Sequence, residues 1–229
     1  MTKIRIESDF RDYYDHAFCG AWETPDFTYE RMSTGGMSRP AMFVAFESVG
    51  LNTPRHGLVR DLIPELKKEY AGYCEHLNLK VVVHTSEYAH AGEGKELLAY
   101  DQAMKKRRNA FAVEFIPTAL GNNHATSYRY LRVGTRVFWM EYESQDDWRS
   151  NCGDCSVKYL SESADTVTAE AVFFRESPLL ALDFLKVGQK MLAIDLNVAP
   201  GLRGTGIEKI MKPDGVYQEV QNWYRNTNV

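Results

Sequence analysis

The chain has 229 residues, 44% hydrophobic and 25% charged, a balance that suits one large globular domain or two small interlocked ones. Its 27 Lys and Arg against 31 Asp and Glu leave a formal net charge of −4. That lacks the basic footprint of a protein that tracks a phosphate backbone, so no dedicated nucleic-acid partner is expected. No apolar run approaches the ~20 residues of a membrane span. The charged start MTKIRIESDFRDYYDH lacks the apolar stretch of a signal peptide. The expectation is a cytoplasmic protein with no membrane partner. The cysteines Cys19, Cys74, Cys152 and Cys155 are too few and too spread for a disulfide scaffold and are expected to stay reduced.

In chain order, Ile4 and Ile6 alternate into a short strand before the aromatic, acidic stretch Asp9 to His16. That stretch reads as packing surface or as a substrate-recognition segment. Residues 33–40 carry loop chemistry, and Ser38 with Pro40 opens a helix over MFVAFESVG that Gly50 ends. An extended piece follows to Gly57, then a helical pattern from Asp61 to about His76, with Leu62, Leu66 and Tyr70 spaced by four. Leu79 to His84 reads as a buried strand. After Gly92 and Gly94, Lys95 to Arg108 is predicted to be helical, and Ala110 to Ile116 a strand. The second half holds two hairpins. One joins Tyr128–Val133 to Arg136–Tyr142 through Gly134-Thr135, and the other joins Leu182–Val187 to Lys190–Asn197 around Gly188-Gln189. A last helix is expected from Val216 to Tyr224. Mixed helices and strand pairs give an α+β class rather than a doubly wound sheet.

The second hairpin carries the chemistry. Asp195 and Asn197 sit two apart on one strand and share a face, and the turn brings Asp183 back beside them. Two carboxylates and an amide oxygen suit Mg²⁺, which takes one or two carboxylates and leaves its other positions to water and phosphate oxygens. By itself the pattern is equally that of solvent-facing polar residues beside a turn. The glycine-rich run Val198 to Lys209 that follows matches neither the P-loop nor the dinucleotide fingerprint.

AIDLNVAPGLRGTGIEKI (193–210) resembles the C-terminal motif of the ATP-grasp superfamily, and looks most like the branch of ligases that add glutamate to a ribosomal protein and related peptides. The block SYRYLRVGTRVFWMEYESQDDWRSN (127–151) is similar to that family's hairpin and closing aromatic-Arg-Ser-Asn, placing Arg129 at its first Arg and Arg149, after Trp148, at its second. Val113 to Ile116 resembles the hinge strand that holds the adenine, and GLNTPRHGLVRDL (50–62) resembles the start of the central subdomain.

The resemblance implies an ATP-grasp fold of two α+β subdomains sandwiching the nucleotide. Residues 1–36 would form a reduced N-terminal segment in place of a full subdomain, 37–112 the central subdomain and 113–229 the C-terminal one. It implies ATP and Mg²⁺, the metal on Asp183, Asp195 and Asn197, Glu114, Phe115 and Ile116 at the base, and Arg149, with Arg129 as a second candidate, at the reacting acyl group. Its partners would be a small-molecule carboxylate and amine, or a residue of a larger acceptor, in a chain that can form a homodimer. Two features depart from the family. The strand that normally ends in a phosphate-binding Lys ends in His84, so Lys95 is expected to supply that amine, and only about 36 residues precede the match. The implied activity is an ATP- and Mg-dependent carboxylate-amine, or thiol, ligase working through an acyl phosphate. The alternative is a degenerate ATP-grasp protein that binds nucleotide or a partner without turnover, and a third reading is a metal-dependent hydrolase on Asp183 and Asp195.

Other signals point less far. Cys152-Gly-Asp-Cys155 has no second CxxC to complete a zinc site, and no His pair has ligand spacing. Arg31, Arg39 and Arg55, near glycine or proline, are expected to be ordinary solvated charges, the alternative being that they bind an acidic group.

Overall fold

The computed structural model describes residues 2–7, 27–32, 37–71, 79–86, 94–118, 124–163, 179–197, 200, 202 and 206–227. The aromatic, acidic stretch at 9–16 and most of the glycine-rich run at 198–205 lie outside them. A parallel pair, β1 (Thr2–Glu7) and β2 (Phe27–Met32), comes first. Two antiparallel sheets follow. One has four strands: β3 (His56–Leu58), β4 (Lys80–His84), β5 (Lys95–Ala99) and β6 (Phe111–Glu114), in the order β3-β6-β4-β5. The other has five: β7 (Ala125–Val133), β8 (Arg136–Ser144), β9 (Cys155–Ser163), β10 (Leu179–Val187) and β11 (Lys190–Asn197), in the order β11-β10-β7-β8-β9. Among the described residues no helix is long and apolar enough to cross a membrane.

Helix α1 (Arg39–Ser48) starts where Ser38 and Pro40 predict: the Ser38 side chain accepts the Ala41 N–H at 3.4 Å, and Gly50 follows the helix at φ 78. Helix α2 is Val59–Glu69, beginning two residues before the predicted start, with residues 72–78 outside the description. The predicted helix from Lys95 is corrected. Lys95–Ala99 pairs antiparallel with β4, and only Tyr100–Lys106 is helical (α3). KELLA has helix-forming residues, but ladder pairing with β4 outweighs propensity here. Strands β2 and β9 were not expected from the sequence.

Alternation along the strands sorts the side chains into layers. Val81, Val83 and Ala112 pack on Val59, Leu62, Ile63 and Leu66 of α2 and on Tyr100 and Ala103 of α3, which leaves Val82, His84 and Val113 for the other face. In the five-stranded sheet, Leu131, Val133, Leu179 and Ala181 share a face and pack against helix α4 (Pro213–Thr227) through Val216, Val220 and Trp223, spaced i, i+4, i+7. Full burial of each such side chain stabilises by about 1.5–3 kcal/mol. On the opposite face Tyr130, Leu180, Leu182 and Phe184 join Met42, Phe43 and Phe46 of α1 together with Phe111 and Val113 of the other sheet. Helix α1 thus packs on residues of both sheets. A third support comes from the turn Gly134-Thr135: Gly134 has φ 61, and a Cβ there would stand 2.1 Å from the carbonyl oxygen of Glu219 in α4.

Candidate active site

The face of the five-stranded sheet that packs on α4 turns polar along its length. Leu131 and Val133 give way to Arg129 and Ser127 on β7, and Leu179 and Ala181 give way to Asp183 on β10. The register places Asp183 opposite both Arg129 and Asp195, so all three share that face, as the predicted hairpin requires. A bulge at Asp183/Phe184 locally shifts the pairing with β11. Facing them from the four-stranded sheet are Val82, His84 and Lys95, and one cavity is lined by both sets.

At one end the cavity is apolar. Val82, Val113, Phe115 and Ile116 line it, and Trp148 meets Phe115 edge-on at 6.2 Å between ring centres. A flat heteroaromatic ring suits such walls. Glu114 also lines it, but its carboxylate is already bound by Tyr70 Oη at 2.6 Å and by Arg55 Nε at 3.2 Å. The backbone N–H groups of Glu114 and Phe115 are spent on the Arg55 and Lys80 carbonyls.

The other end is charged. Arg129 grips Asp183 with two parallel hydrogen bonds, Nε to Oδ1 at 2.7 Å and Nη2 to Oδ2 at 2.8 Å, and lies over the Tyr142 ring at 5.0 Å. Burial opposes the Arg129 charge, yet the Asp183 carboxylate outweighs it and raises the guanidinium pKa above its ordinary value. Asp195 accepts from Arg39 at Oδ1, and Lys95 Nζ lies 3.9 Å from its Oδ2. Burial alone would push this carboxyl up, but the charges of Arg39 and Lys95 win and hold it at about 2. Burial lowers the Lys95 amine, with the Asp195 charge opposing the shift.

His84 stands directly across the ladder from Lys95. It is 7% exposed, and burial together with the Lys95 and Arg39 charges lowers its pKa to about 3. It is therefore neutral at physiological pH and supplies no charge in place of a lysine. Lys95, its cross-strand partner, is the amine at that position.

Arg149 lines the cavity and is locked by its neighbour Asp147, which accepts from Nε at 2.9 Å, Nη2 at 2.8 Å and the Arg149 backbone N–H at 2.8 Å. The loop that carries it is braced by Asp146, whose Oδ1 accepts the Asp154 N–H at 2.7 Å; a Cβ on Gly153, at φ 65, would strike that oxygen at 2.0 Å. Of the CxxC, Cys152 lies in this turn, Cys155 opens β9, and both are free thiols.

The structure thus brings together His84, Lys95, Glu114, Phe115, Ile116, Arg129, Arg149, Asp183 and Asp195 around one cavity. Asn197 lies two residues beyond Asp195 on the same strand face, opposite Ala181, and is not among the lining residues. Two contributors were not placed at the site from sequence. Arg39 was expected to be solvated, with binding of an acidic group as the lesser reading, and is 5% exposed; Asp147 carried no signal of its own, whereas Trp148 is the aromatic that precedes Arg149-Ser150-Asn151. A signal for Arg39 existed, because a cation at a helix N-terminus opposes the helix dipole and needs a partner elsewhere.

The carboxylates are the residues here that could hold a hard divalent ion. Asp183 and Asp195 face each other across one ladder position, and among the described residues no cluster of three or more His, Cys, Asp or Glu forms a metal cage. Two carboxylates could hold a hard ion such as Mg²⁺, which leaves its remaining positions to water or phosphate oxygens.

No protein-family model matches the chain, and no curated protein matches it. Solved structures do resemble it. N5-carboxyaminoimidazole ribonucleotide synthetase (PurK), in complex with ADP, superimposes with a TM-score of 0.57 at 12% identity, over 98% of this chain and 77% of that one. D-alanine–D-alanine ligase from Bacillus anthracis gives 0.54 at 9% identity, over 99% and 98%. The ATP-grasp ligase PsnB, complexed with a minimal precursor, Mg and ADP, gives 0.53 at 12% identity over 82% of this chain, which spans 58% of the PsnB chain. At such identities the likeness is one of architecture, and with its two antiparallel sheets around one cavity this chain has the ATP-grasp fold.

Proposed function

We propose that the protein is an ATP- and Mg²⁺-dependent ligase that joins a carboxylate to an amine or thiol through an acyl phosphate. The observation that carries this reading is the polarity of one cavity. An apolar slot at Phe115, Ile116 and Trp148 leads to a charged end where Asp183 and Asp195 face each other among Lys95, Arg129 and Arg149. A nucleotide base fits the first and its polyphosphate the second.

Mg²⁺, when bound, supplies charge neutralisation between the terminal phosphates. Asp183 and Asp195 would hold it, with Asn197 beyond them. Lys95 would neutralise the phosphate oxygens, its amine already desolvated and so strongly attracted to an anion. Arg149, held by Asp147, presents a fixed guanidinium to the reacting acyl group. A substrate carboxylate oxygen attacks the terminal phosphorus and ADP leaves. The amine then attacks the acyl carbon, the tetrahedral oxyanion rests on Arg149, and phosphate departs as the amine proton is lost to solvent. The likeness to PsnB, solved with a minimal precursor, and to D-alanine–D-alanine ligase supports a larger acceptor and a small amine alike. A two-subdomain division accompanies this reading; a boundary at 112/113 cuts β6 (Phe111–Glu114), so the division is drawn after Glu114, with α1 as the element that packs across it. The runner-up, nucleotide binding without turnover, predicts the same affinity and no ADP release.

The test is calorimetric titration of a non-hydrolysable ATP analogue with and without Mg²⁺ into the wild type and Asp195→Ala. Metal-enhanced binding that the substitution removes, with circular dichroism unchanged, is the expected result. Nucleotide affinity indifferent to both metal and substitution refutes the site.

A further inference from the structure

Arg39 opens α1, where the positive end of the helix disfavours a cation, and it is nearly buried. A buried charge in that position is costly unless a specific partner holds it. Its partner is 156 residues away: Arg39 Nη1 donates to Asp195 Oδ1. The same oxygen accepts the Leu196 backbone N–H at 2.9 Å. The two donors occupy Oδ1, and Oδ2 lies towards Lys95, 3.9 Å from its amine. Asp195 lines the cavity, whereas Arg39 is not among its lining residues. Arg39 is also fixed from below, because Met42, Phe43 and Phe46 of the same helix are core residues and the loop after it is tied to β11 by Ala193 N–H to the Asn52 carbonyl at 2.8 Å.

We propose that Arg39 is a positioning residue for the metal-binding carboxylate: it clamps Asp195 through Oδ1, behind the cavity wall, so that Oδ2 is presented to the cation that travels with the phosphates. The inference rests on the reading of Asp195 as a metal ligand. A carboxylate that must rotate into place pays for its own ordering at each binding event, and an outer hydrogen bond removes that cost. Helix α1, which sits between the sheets, thereby communicates its position to the metal site.

The experiment measures the affinity of a non-hydrolysable ATP analogue with and without Mg²⁺ in the wild type, Arg39→Met, Arg39→Lys and Asp195→Asn, and takes the ratio as the metal increment. Arg39→Met should lower the metal increment by about 10–100-fold, while metal-free affinity changes by less than about threefold. Arg39→Lys, which keeps a donor of similar reach, should recover part of the increment. Equal loss of metal-free and metal-loaded affinity in Arg39→Met would make Arg39 a phosphate ligand or a packing residue and overturn the proposal. An unchanged or larger increment overturns it too. If circular dichroism shows Arg39→Met unfolded, Arg39→Lys decides by the same criteria: a lowered increment at constant metal-free affinity supports the clamp, and any other pattern rejects it. Asp195→Asn separates the two readings, since a full increment in that variant removes Asp195 as a ligand whatever Arg39 does.

Discussion

Replacing His84 with Gln should flatten the acid side of the protein's stability profile. The folded-state pKa of His84 is about 3 against an ordinary 6.5. A depressed folded pKa means that the stabilising contribution is fully present above pH ~6.5 and is lost as pH falls towards the folded value. At pH 4.5 the unfolded chain carries a proton on this residue that the folded chain refuses, so folding loses about 2 kcal/mol between pH 7 and pH 4.5 from His84 alone. The groups that set this are the burial of the ring against Phe111, at 5.8 Å between ring centres, and the charges of Lys95 and Arg39, with Asp195 opposing them. Asp195, held at about 2, loses its own contribution below its ordinary 3.8, outside this interval. The assay is urea unfolding of the wild type and His84→Gln at pH 7 and pH 4.5, read as a difference of differences so that carboxylates common to both proteins cancel. The wild type should lose about 2 kcal/mol more than the variant. Equal losses, within about 0.5 kcal/mol, would show that His84 accepts a proton in the folded protein. It would then be a cation at the phosphate end, contrary to the division of labour with Lys95.

Lys95→Met should weaken binding of the ATP analogue by about 10–100-fold, because a unit charge about 4 Å from an anion is worth a few kcal/mol at an intermediate effective dielectric, less what the lysine pays for burial. Titration calorimetry checks it, and an unchanged affinity would remove Lys95 from the phosphate site. Since the Lys95 pKa is depressed by burial, nucleotide affinity should also decline with rising pH before an ordinary lysine would deprotonate, and this decline should be absent in Lys95→Met. Gly134→Ala should destabilise the fold by at least about 2 kcal/mol, since a methyl there meets the Glu219 carbonyl oxygen at 2.1 Å in a turn at φ 61. A thermal melt within 1–2 °C of wild type, about the span of a few tenths of a kcal/mol, would refute that close approach.

Legibility in the sequence followed the range of the interaction. The β10–β11 hairpin was readable because Gly188-Gln189 and strand periodicity are local, and its observed register pairs Asp183 with Asp195 as that reading demands. The strand Lys95–Ala99 was not, since KELLAYDQAMKK carries a continuous helical composition and only the ladder with Lys80–His84 converts its first five residues to strand. Strand β9 hid for a related reason: its side chains are mostly exposed, Tyr159 at 43% and Leu160 at 39%, so no inward-facing alternation marks it. Within the site, the residues carried by motifs all reached the cavity except Asn197. What local sequence could not give was the partner: Arg39 meets Asp195 across 156 residues and Trp148 meets Phe115 across 33, both by tertiary approach.

If the proposed site holds Mg²⁺ on Asp183 and Asp195, the surrounding charges bear on how only two carboxylates would serve a divalent cation. Arg39, Lys95 and Arg129 stand against Asp183 and Asp195. Arg149 is offset by Asp147, and His84 is neutral. Three cations against two anions leave a net positive charge in a partly desolvated cleft, where electrostatic interactions are strong. Such a cleft repels a bare divalent ion and attracts a polyphosphate, so on the proposed reading the cation would enter already bound to the nucleotide, as part of an anionic complex. The carboxylates then act on an ion whose charge is largely screened by phosphate oxygens, and their task is orientation more than capture. That is why the geometry of Asp195, and the Arg39 contact that fixes it, should matter more to this site than the number of its acidic ligands.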